Sequence, residues 1–186
     1  MQETPLPVLG LGKKGIRRKN KDIIEAYPNK ERKFVMPLTQ KEATLMKDMK
    51  DGEKLCIDKY TKHASSACDP QLKNLFSTLA ENECKHLETL TQIESGTTPA
   101  PGGASASLPT FSATYKPGDT SECAKTDAYL CKDALTGEKQ VSSLYNTCIF
   151  EFTDEKTREV LAGIQKQEQV HGKMLYDYMQ ANGMYG

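Results

Sequence analysis

Apolar side chains recur at alternating steps of three and four residues along four segments of the chain. That spacing places them on one face of an α-helix, as in the seam between helices of a bundle. Each predicted seam is interrupted near its middle by a carboxylate, or by a carboxylate and an imidazole. The four seams, in chain order, consist of Met46, Met49, Glu53, Cys56, Tyr60 and His63; Leu72, Phe76, Leu79, Glu83, His86, Leu90 and Ile93; Cys131, Ala134, Glu138, Val141, Tyr145, Cys148 and Phe152; and Leu161, Ile164, Glu168, His171, Leu175 and Tyr178.

Capping residues indicate where the first two helices begin. Thr39 and Glu42 form a T-x-x-E capping box, which opens the first long helix. Asp69 as N-cap and Pro70 at the first helical position open the second, which is predicted to run to about Glu94. The two helices together make a predicted hairpin.

A second hairpin follows after a long interval. Residues 95–125 are rich in Ser, Thr, Gly, Pro and Ala and show no period, which suits a crossover between distant helix ends. The helical pattern returns near residue 126 and persists to Phe152, and Thr153–Asp154 caps a fourth helix that ends near residue 180. No segment alternates as a strand does. The prediction is an all-α, antiparallel four-helix bundle of two hairpins, 38–94 and 126–180, joined by the crossover.

The two predicted hairpins are copies of one sequence unit. "GEKLCIDKY" (52–60) aligns with "GEKQVSSLY" (137–145). "DPQLKNLFSTLAENECKHLETL" (69–90) aligns with "DEKTREVLAGIQKQEQVHGKML" (154–175). A repeat of this kind identifies polar positions that belong together as a set. The matched pairs are Glu53 with Glu138, Glu83 with Glu168, and His86 with His171.

The rise of an α-helix brings these six side chains to one level of the bundle. Glu53 lies about a dozen residues before the bend of its hairpin and Glu83 a similar number after it, so both are roughly 20 Å from the bend. Glu138 and Glu168 repeat the arrangement around a bend near residue 153. Four glutamates and two histidines are therefore predicted to share one layer of the interior.

Such a layer requires compensating charge. A buried ionised carboxylate costs several kcal/mol, and four of them repel one another. Two divalent or trivalent cations would compensate them, since carboxylates and imidazoles are suitable ligands. The sequence thus predicts a dinuclear metal site formed by Glu53, Glu83, His86, Glu138, Glu168 and His171. A metal-free core with partly protonated carboxyl groups stays open as the alternative.

Other candidate residues carry weaker expectations. Tyr60 and Tyr145 lie two turns from the glutamates on the same helix faces, near enough to contact the ligands or to take part in redox chemistry. Packing in the core with a satisfied hydroxyl group is the favoured interpretation of both. His63 lies near a helix end, away from the predicted layer, and Cys84 is turned off the metal face by its one-residue step from Glu83.

Composition narrows the class of protein. The chain has 186 residues with 25 Lys+Arg and 25 Asp+Glu, so charge does not point to nucleic acid or a membrane as the main partner. No apolar run is long enough for a transmembrane helix. The charges near the start follow a short apolar patch, the reverse of a secretory signal, so we expect an intracellular protein. Residues 1–36 are expected to form a flexible basic arm with at most one short helix, at 20–26, before a domain spanning 37–186.

The six cysteines contain no C-x-x-C pair, which argues against a zinc ribbon, a rubredoxin centre or a thioredoxin motif. In an intracellular chain we expect reduced thiols rather than a disulfide framework. Most should behave as small buried apolar residues.

Residues 38–180 resemble the ferritin-like superfamily of di-iron carboxylate proteins, and more narrowly the rubrerythrin-related spore coat protein F family of spore-forming bacteria. The resemblance rests on "LTQKE…DGEKLCIDKY", on the "CDPQLKNLF" hairpin with its second copy, and on the closing "LYDYMQANGMYG". In ferritin-like bundles two helices supply one Glu each, and the other two supply Glu-x-x-His. By that resemblance Glu83 and Glu168 bridge the metals, Glu53 and Glu138 are terminal ligands, and each metal takes one histidine.

The chain also departs from these relatives. Many coat F members lack a full ligand set, whereas both halves are intact here, which puts a purely structural role in doubt. The cysteine-ligated second iron centre of rubrerythrin is missing, so a self-contained rubrerythrin peroxidase is not expected.

Two hypotheses about function follow. The first is a protein with two metal ions, iron in the first place and manganese as the alternative, acting on O₂ or peroxide as an oxidase, a peroxidase or a catalase-like enzyme. The second is a structural spore coat protein whose metal site only stabilises the bundle. Its basic arm would then contact other coat proteins. We expect the protein in the cytoplasm, the forespore or the spore coat. A homodimer is compatible with both hypotheses.

Overall fold

Four long helices account for most of the described chain. The computed structural model describes residues 37–102 and 108–185. The helices are α1 (Gln40–Ser66), α2 (Pro70–Glu94), α3 (Glu122–Glu151) and α4 (Glu155–Ala181), and the described ranges contain no strand. The predicted all-α class is therefore confirmed. The predicted basic arm, with its short helix at 20–26, lies outside the described residues.

The helices begin where side chains accept hydrogen bonds from the first free amides. Thr39 and Glu42 form the predicted capping box, with the Thr39 amide donating to Glu42 over 2.7 Å. Asp69 and Asp154 cap α2 and α4 as predicted. Helix α3 begins four residues earlier than predicted, because the Ser121 hydroxyl accepts from the amide of Ala124 and supplies the N-cap there.

The helices pack as two hairpins that close into a four-helix bundle. Helix α1 packs most extensively on α2 and α3 on α4, while α1 also contacts α3 and α2 contacts α4. The apolar core forms two clusters at successive heights. One contains Leu72, Phe76, Cys131 and Tyr178, and the other contains Met46, Leu90, Phe152 and Leu161. The predicted polar layer lies between the two clusters along every helix.

A hydrogen-bonded network fastens the crossover to one end of the bundle. The buried carboxylate of Asp127 accepts from the amides of Cys68 and Asp69 over 2.8 and 2.9 Å and from the Tyr115 hydroxyl over 2.7 Å. The Asn182 side chain accepts from the amides of Thr114 and Tyr115 over 2.7 and 3.0 Å. The end of the crossover is therefore tied to the α1–α2 turn, to α3 and to the residue that follows α4.

A disulfide joins Cys68 in the α1–α2 turn to Cys123 at the start of α3. The expectation that all cysteines are reduced is wrong for these two. The pairing depends on the crossover returning residue 123 to the first bend, with Cα atoms 5.6 Å apart, and spacing along the chain does not reveal that return. Cys56, Cys131 and Cys148 are buried as expected, and Cys84 is exposed.

None of the described helices combines the length and the apolar composition that crossing a membrane requires.

Candidate metal centre

The six predicted ligands converge in the layer between the two apolar clusters. Helices α1 and α3 each contribute one glutamate, and α2 and α4 each contribute a glutamate and a histidine one turn apart. Every one of these residues is 2 % exposed or less; they are Glu53, Glu83, His86, Glu138, Glu168 and His171. Apolar side chains above and below thus remove all six polar groups from solvent.

The six side chains form two overlapping groups, each suited to one cation. Glu53, Glu83, His86 and Glu168 form the first group, and Glu83, Glu138, Glu168 and His171 form the second. Within each group the candidate ligand atoms lie within 4.8 Å of one another. Glu83 and Glu168 belong to both groups. The geometry therefore describes two adjacent positions that share two carboxylates, each with its own glutamate and histidine.

Both histidines turn Nδ1 toward the carboxylates. In His86 this atom lies 2.9 Å from Glu83 Oε2 and 3.0 Å from Glu168 Oε1. In His171 it lies 3.1 Å from Glu83 Oε1 and 3.4 Å from Glu168 Oε2. The two rings stack with centroids 5.6 Å apart and an interplanar angle of 21°. The opposite ring atom, Nε2, consequently faces away from the carboxylates.

Two tyrosines cross between the hairpins to reach the unshared glutamates. Tyr60 on α1 donates a hydrogen bond to Glu138 Oε1 on α3, and Tyr145 on α3 donates one to Glu53 Oε1 on α1. Both tyrosines are fully buried. They are core residues, as favoured from sequence, and their hydroxyl groups are satisfied by predicted ligands. Each bond occupies one carboxylate oxygen and leaves the other directed to the centre.

Buried atoms without a hydrogen-bond partner concentrate in this layer. Within the described ranges, all such side-chain atoms belong to the predicted ligands: Glu53 Oε2, Glu83 Oε1, Glu138 Oε2, both oxygens of Glu168, and His171 Nδ1. Native proteins leave few buried polar groups unpaired, because each costs about 1–3 kcal/mol. Oxygen and imidazole nitrogen are ligands of iron and manganese, so this donor set fits metal ions.

Burial and contacts with the histidines give the four carboxyl groups different pKa values. Burial raises the pKa of Glu53 and of Glu138 to about 8, although contacts with the histidines favour their ionised forms. Burial acts in the same direction on the pKa of Glu83, but close contacts with the His171 and His86 imidazoles outweigh it and lower that pKa. The same imidazole contacts lower the pKa of Glu168 below its usual range against burial.

The pKa values of both histidines are raised. Burial opposes their positive charge, yet contacts with Glu168, Glu53 and Glu83 raise the pKa of His86 above its ordinary value. The pKa of His171 is likewise raised, by contacts with Glu138, Glu168 and Glu83 that overcome burial. In the metal-free layer the raised pKa values therefore favour protonation of both imidazoles and of Glu53 and Glu138.

Residues expected to lie away from the centre do so. His63 pairs with Asp133, with 2.9 Å between His63 Nε2 and the carboxylate, and belongs to neither group. Two side chains that the sequence analysis did not single out do contact the histidines: Gln167 reaches His86, and Asn82 reaches His171. The repeat contained the necessary information, since these residues occupy matched positions directly before Glu168 and Glu83.

Comparison with known proteins identifies one similarity. Residues 126–186, which span most of α3 and all of α4, match the Coat F domain. No curated protein and no solved structure is significantly similar to the chain. The match supports the resemblance to the spore coat F family for the second hairpin, which carries Glu138, Glu168 and His171. No comparison supports the wider resemblance to the ferritin-like superfamily.

Proposed function

We propose that this protein binds two metal ions, iron or manganese, between its two hairpins and carries out redox chemistry on dioxygen or peroxide. Glu83 and Glu168 would bridge the ions. Glu53 with His86 would complete one position, and Glu138 with His171 the other. The proposal assigns the protein to the ferritin-like, rubrerythrin-related class of di-metal carboxylate proteins, within the setting of the spore coat.

One observation carries the proposal: two groups of buried donors share two carboxylates and leave six of their atoms unpaired. A purely structural polar layer would be expected to satisfy its own hydrogen bonds. Charge supports the same conclusion. Four ionised glutamates carry a charge of about −4, which two divalent cations neutralise within the layer.

The residues around the ions have separate tasks. The six ligands would hold two adjacent redox-active ions, and the chemistry that such ions would supply is electron transfer to a small oxidant. Tyr60 and Tyr145 hold one oxygen of Glu138 and Glu53, so that each presents the other oxygen to the centre. The apolar clusters on both sides exclude bulk water, which strengthens every electrostatic interaction in the layer.

Turnover measurements test the redox part of the proposal. The chain is purified, loaded anaerobically with Fe²⁺ or Mn²⁺, and its bound metal is counted. Dioxygen or hydrogen peroxide is then added together with an excess of a reductant such as ascorbate, which supplies the electrons for each further turnover, and consumption of the oxidant is followed against protein from which the metal has been removed. The proposal expects about two ions per chain and repeated turnover that depends on them. Two ions without turnover would contradict the redox assignment and leave metal binding intact.

A structural role in the spore coat is the second candidate, and the Coat F match of the second hairpin favours it. In that case the metal ions contribute folding free energy rather than catalysis. Such a protein would unfold at a markedly lower temperature after metal removal and would show no turnover with either oxidant. Thermal melts of loaded and metal-free protein, run beside the turnover assay, separate the two candidates.

A further inference from the structure

The outward faces of the two histidines meet matched amide side chains. Asn82 directly precedes Glu83 on α2, and Gln167 directly precedes Glu168 on α4, at equivalent positions of the repeat. Each amide reaches the histidine of the other helix. His86 Nε2 lies 3.1 Å from Gln167 Oε1, and His171 Nε2 lies 3.4 Å from Asn82 Nδ2. The two hairpins therefore contact each other through these amide side chains as well as through the candidate ligands.

Gln167 gives His86 the partner that a metal-binding imidazole needs. A carbonyl oxygen can only accept, so Nε2 carries the hydrogen and donates it to Gln167 Oε1. When His86 loses its second proton to bind a metal ion, this arrangement would leave the lone pair of Nδ1 directed at the carboxylates. Such outer contacts orient metal-binding histidines and make them more basic. Gly102 of the crossover lies beside this amide, since a Cβ added at Gly102 would lie only 3.3 Å from Gln167 Nε2.

Asn82 is a poorer hydrogen-bond partner for His171 than Gln167 is for His86. Its side chain is one methylene shorter than that of Gln167, and the contact is longer. Its carbonyl oxygen accepts from Lys85 Nζ over 3.3 Å, so the amide group turned to His171 is the NH₂. An NH₂ group donates hydrogen bonds and does not accept the Nε2 hydrogen. The contact with Asn82 therefore does not hold His171 in the tautomer that Gln167 favours in His86.

We propose that Gln167 is a positioning residue for the metal position at His86, and that this position binds its ion more tightly than the one at His171, whose counterpart residue is Asn82. The inference rests on the proposed dinuclear site. It adds that the two ions are bound with unequal affinities although the six ligands are nearly symmetric.

Calorimetric titration of the metal-free chain with Co²⁺ tests the inference. Wild-type protein should bind two ions in separate events of unequal affinity. Gln167→Leu should weaken the tighter event by about 10–100-fold, the usual effect of losing such an outer contact. Gln167→Glu should restore it, because a carboxylate accepts the same hydrogen. Gln165→Leu is the matched control on α4, since the Gln165 amide donates to the Ser142 carbonyl over 3.0 Å and contacts no histidine there.

The outcomes separate this inference from the proposed function. Unchanged affinities in Gln167→Leu, or equal affinities in the wild type, would overturn the inference while two bound ions leave the dinuclear site standing. A wild-type chain that binds no Co²⁺ would overturn both. Asn82→Gln gives an independent answer if Gln167→Leu does not fold. Its longer amide should strengthen the weaker event toward the tighter one, and an unchanged weaker event would contradict the inference.

Discussion

At the scale of single residues, replacing a glutamate shared by both donor groups should remove more bound metal than replacing an unshared one. Glu83 belongs to both donor groups, whereas Glu53 belongs to one. Glu83→Ala should therefore abolish binding of both ions, while Glu53→Ala should retain about one ion per chain with weakened affinity. Metal analysis after dialysis against a fixed free-metal concentration measures the difference.

Glu81→Ala is the matched control for these variants, because Glu81 is exposed on the same helix two residues before Glu83. It should bind as many ions as the wild type. Equal metal content in Glu83→Ala and Glu53→Ala would show that the two carboxylates play equivalent parts, which contradicts the bridging role.

The positions of the candidate ligands could be predicted from the sequence, but their contacts with the two tyrosines could not. Glu53, Glu83 and His86 interrupt an apolar period, so their burial followed from spacing, and the repeat supplied the matching residues of the second hairpin. The contacts of Tyr60 with Glu138 and of Tyr145 with Glu53 were not predictable in detail. They depend on how far the two hairpins approach each other, which periodicity within a helix does not encode.

At the scale of helices, Glu42 links the start of α1 to the α3–α4 bend. Its carboxylate accepts from the Thr153 amide over 2.8 Å as well as from the Thr39 amide. Burial alone would raise the pKa of Glu42, but the hydrogen bonds from Thr153 and Thr39 outweigh it and lower that pKa to about 2. The capping box was visible in the sequence, whereas the contact with a residue so distant along the chain was not.

The lowered pKa of Glu42 predicts a pH-dependent stability. Because the folded pKa lies below the unfolded value, the contribution is complete above about pH 4.5 and is lost as the pH falls toward 2. Glu42→Gln should lower the unfolding free energy by about 1–2 kcal/mol at neutral pH, with the deficit shrinking toward pH 2. Urea unfolding at several pH values measures it. Glu159→Gln, at an exposed site on α4, should follow the wild type, and a deficit independent of pH would refute the assignment.

The disulfide between Cys68 and Cys123 is the second contact between elements that the sequence analysis missed. It closes a loop with a sequence separation of 55 residues. Replacing both cysteines by serine should lower the unfolding free energy by about 4 kcal/mol, mainly because the unfolded chain gains freedom. Chemical denaturation of metal-free protein measures the change. Cys84→Ser, at an exposed free cysteine, controls for a cysteine-to-serine change outside the disulfide. Reducing agent should destabilise that control but leave Cys68→Ser with Cys123→Ser unchanged.

At the scale of the whole molecule, the proposed metal site predicts that the layer releases protons when it binds metal. The raised pKa values favour the protonated forms of Glu53, Glu138, His86 and His171 when no metal is bound. Ligands must lose their protons to bind, so two ions should release about four protons. Affinity should consequently fall steeply as the pH drops below 8. Titration calorimetry in buffers of different ionisation enthalpy counts the protons, and binding without proton release would contradict this charge arrangement.

The fold as a whole was predictable because the chain repeats one sequence unit. Its helices have long apolar seams and recognisable N-cap residues. The crossover was predictable only as a connection. Its anchoring by Asp127 and Asn182 depends on buried polar contacts across the bundle end, and an acidic residue near a helix start gives no indication of such burial.

The most direct test of the dinuclear site is a crystal structure of the chain loaded with Mn²⁺ or Fe²⁺, with the ions located by anomalous scattering. The account predicts two anomalous peaks about 3.5–4 Å apart between Glu83 and Glu168. One peak should lie against Glu53 and His86, and the other against Glu138 and His171. A layer with no anomalous peak in such crystals, its glutamates and histidines paired only with one another, would contradict the central claim.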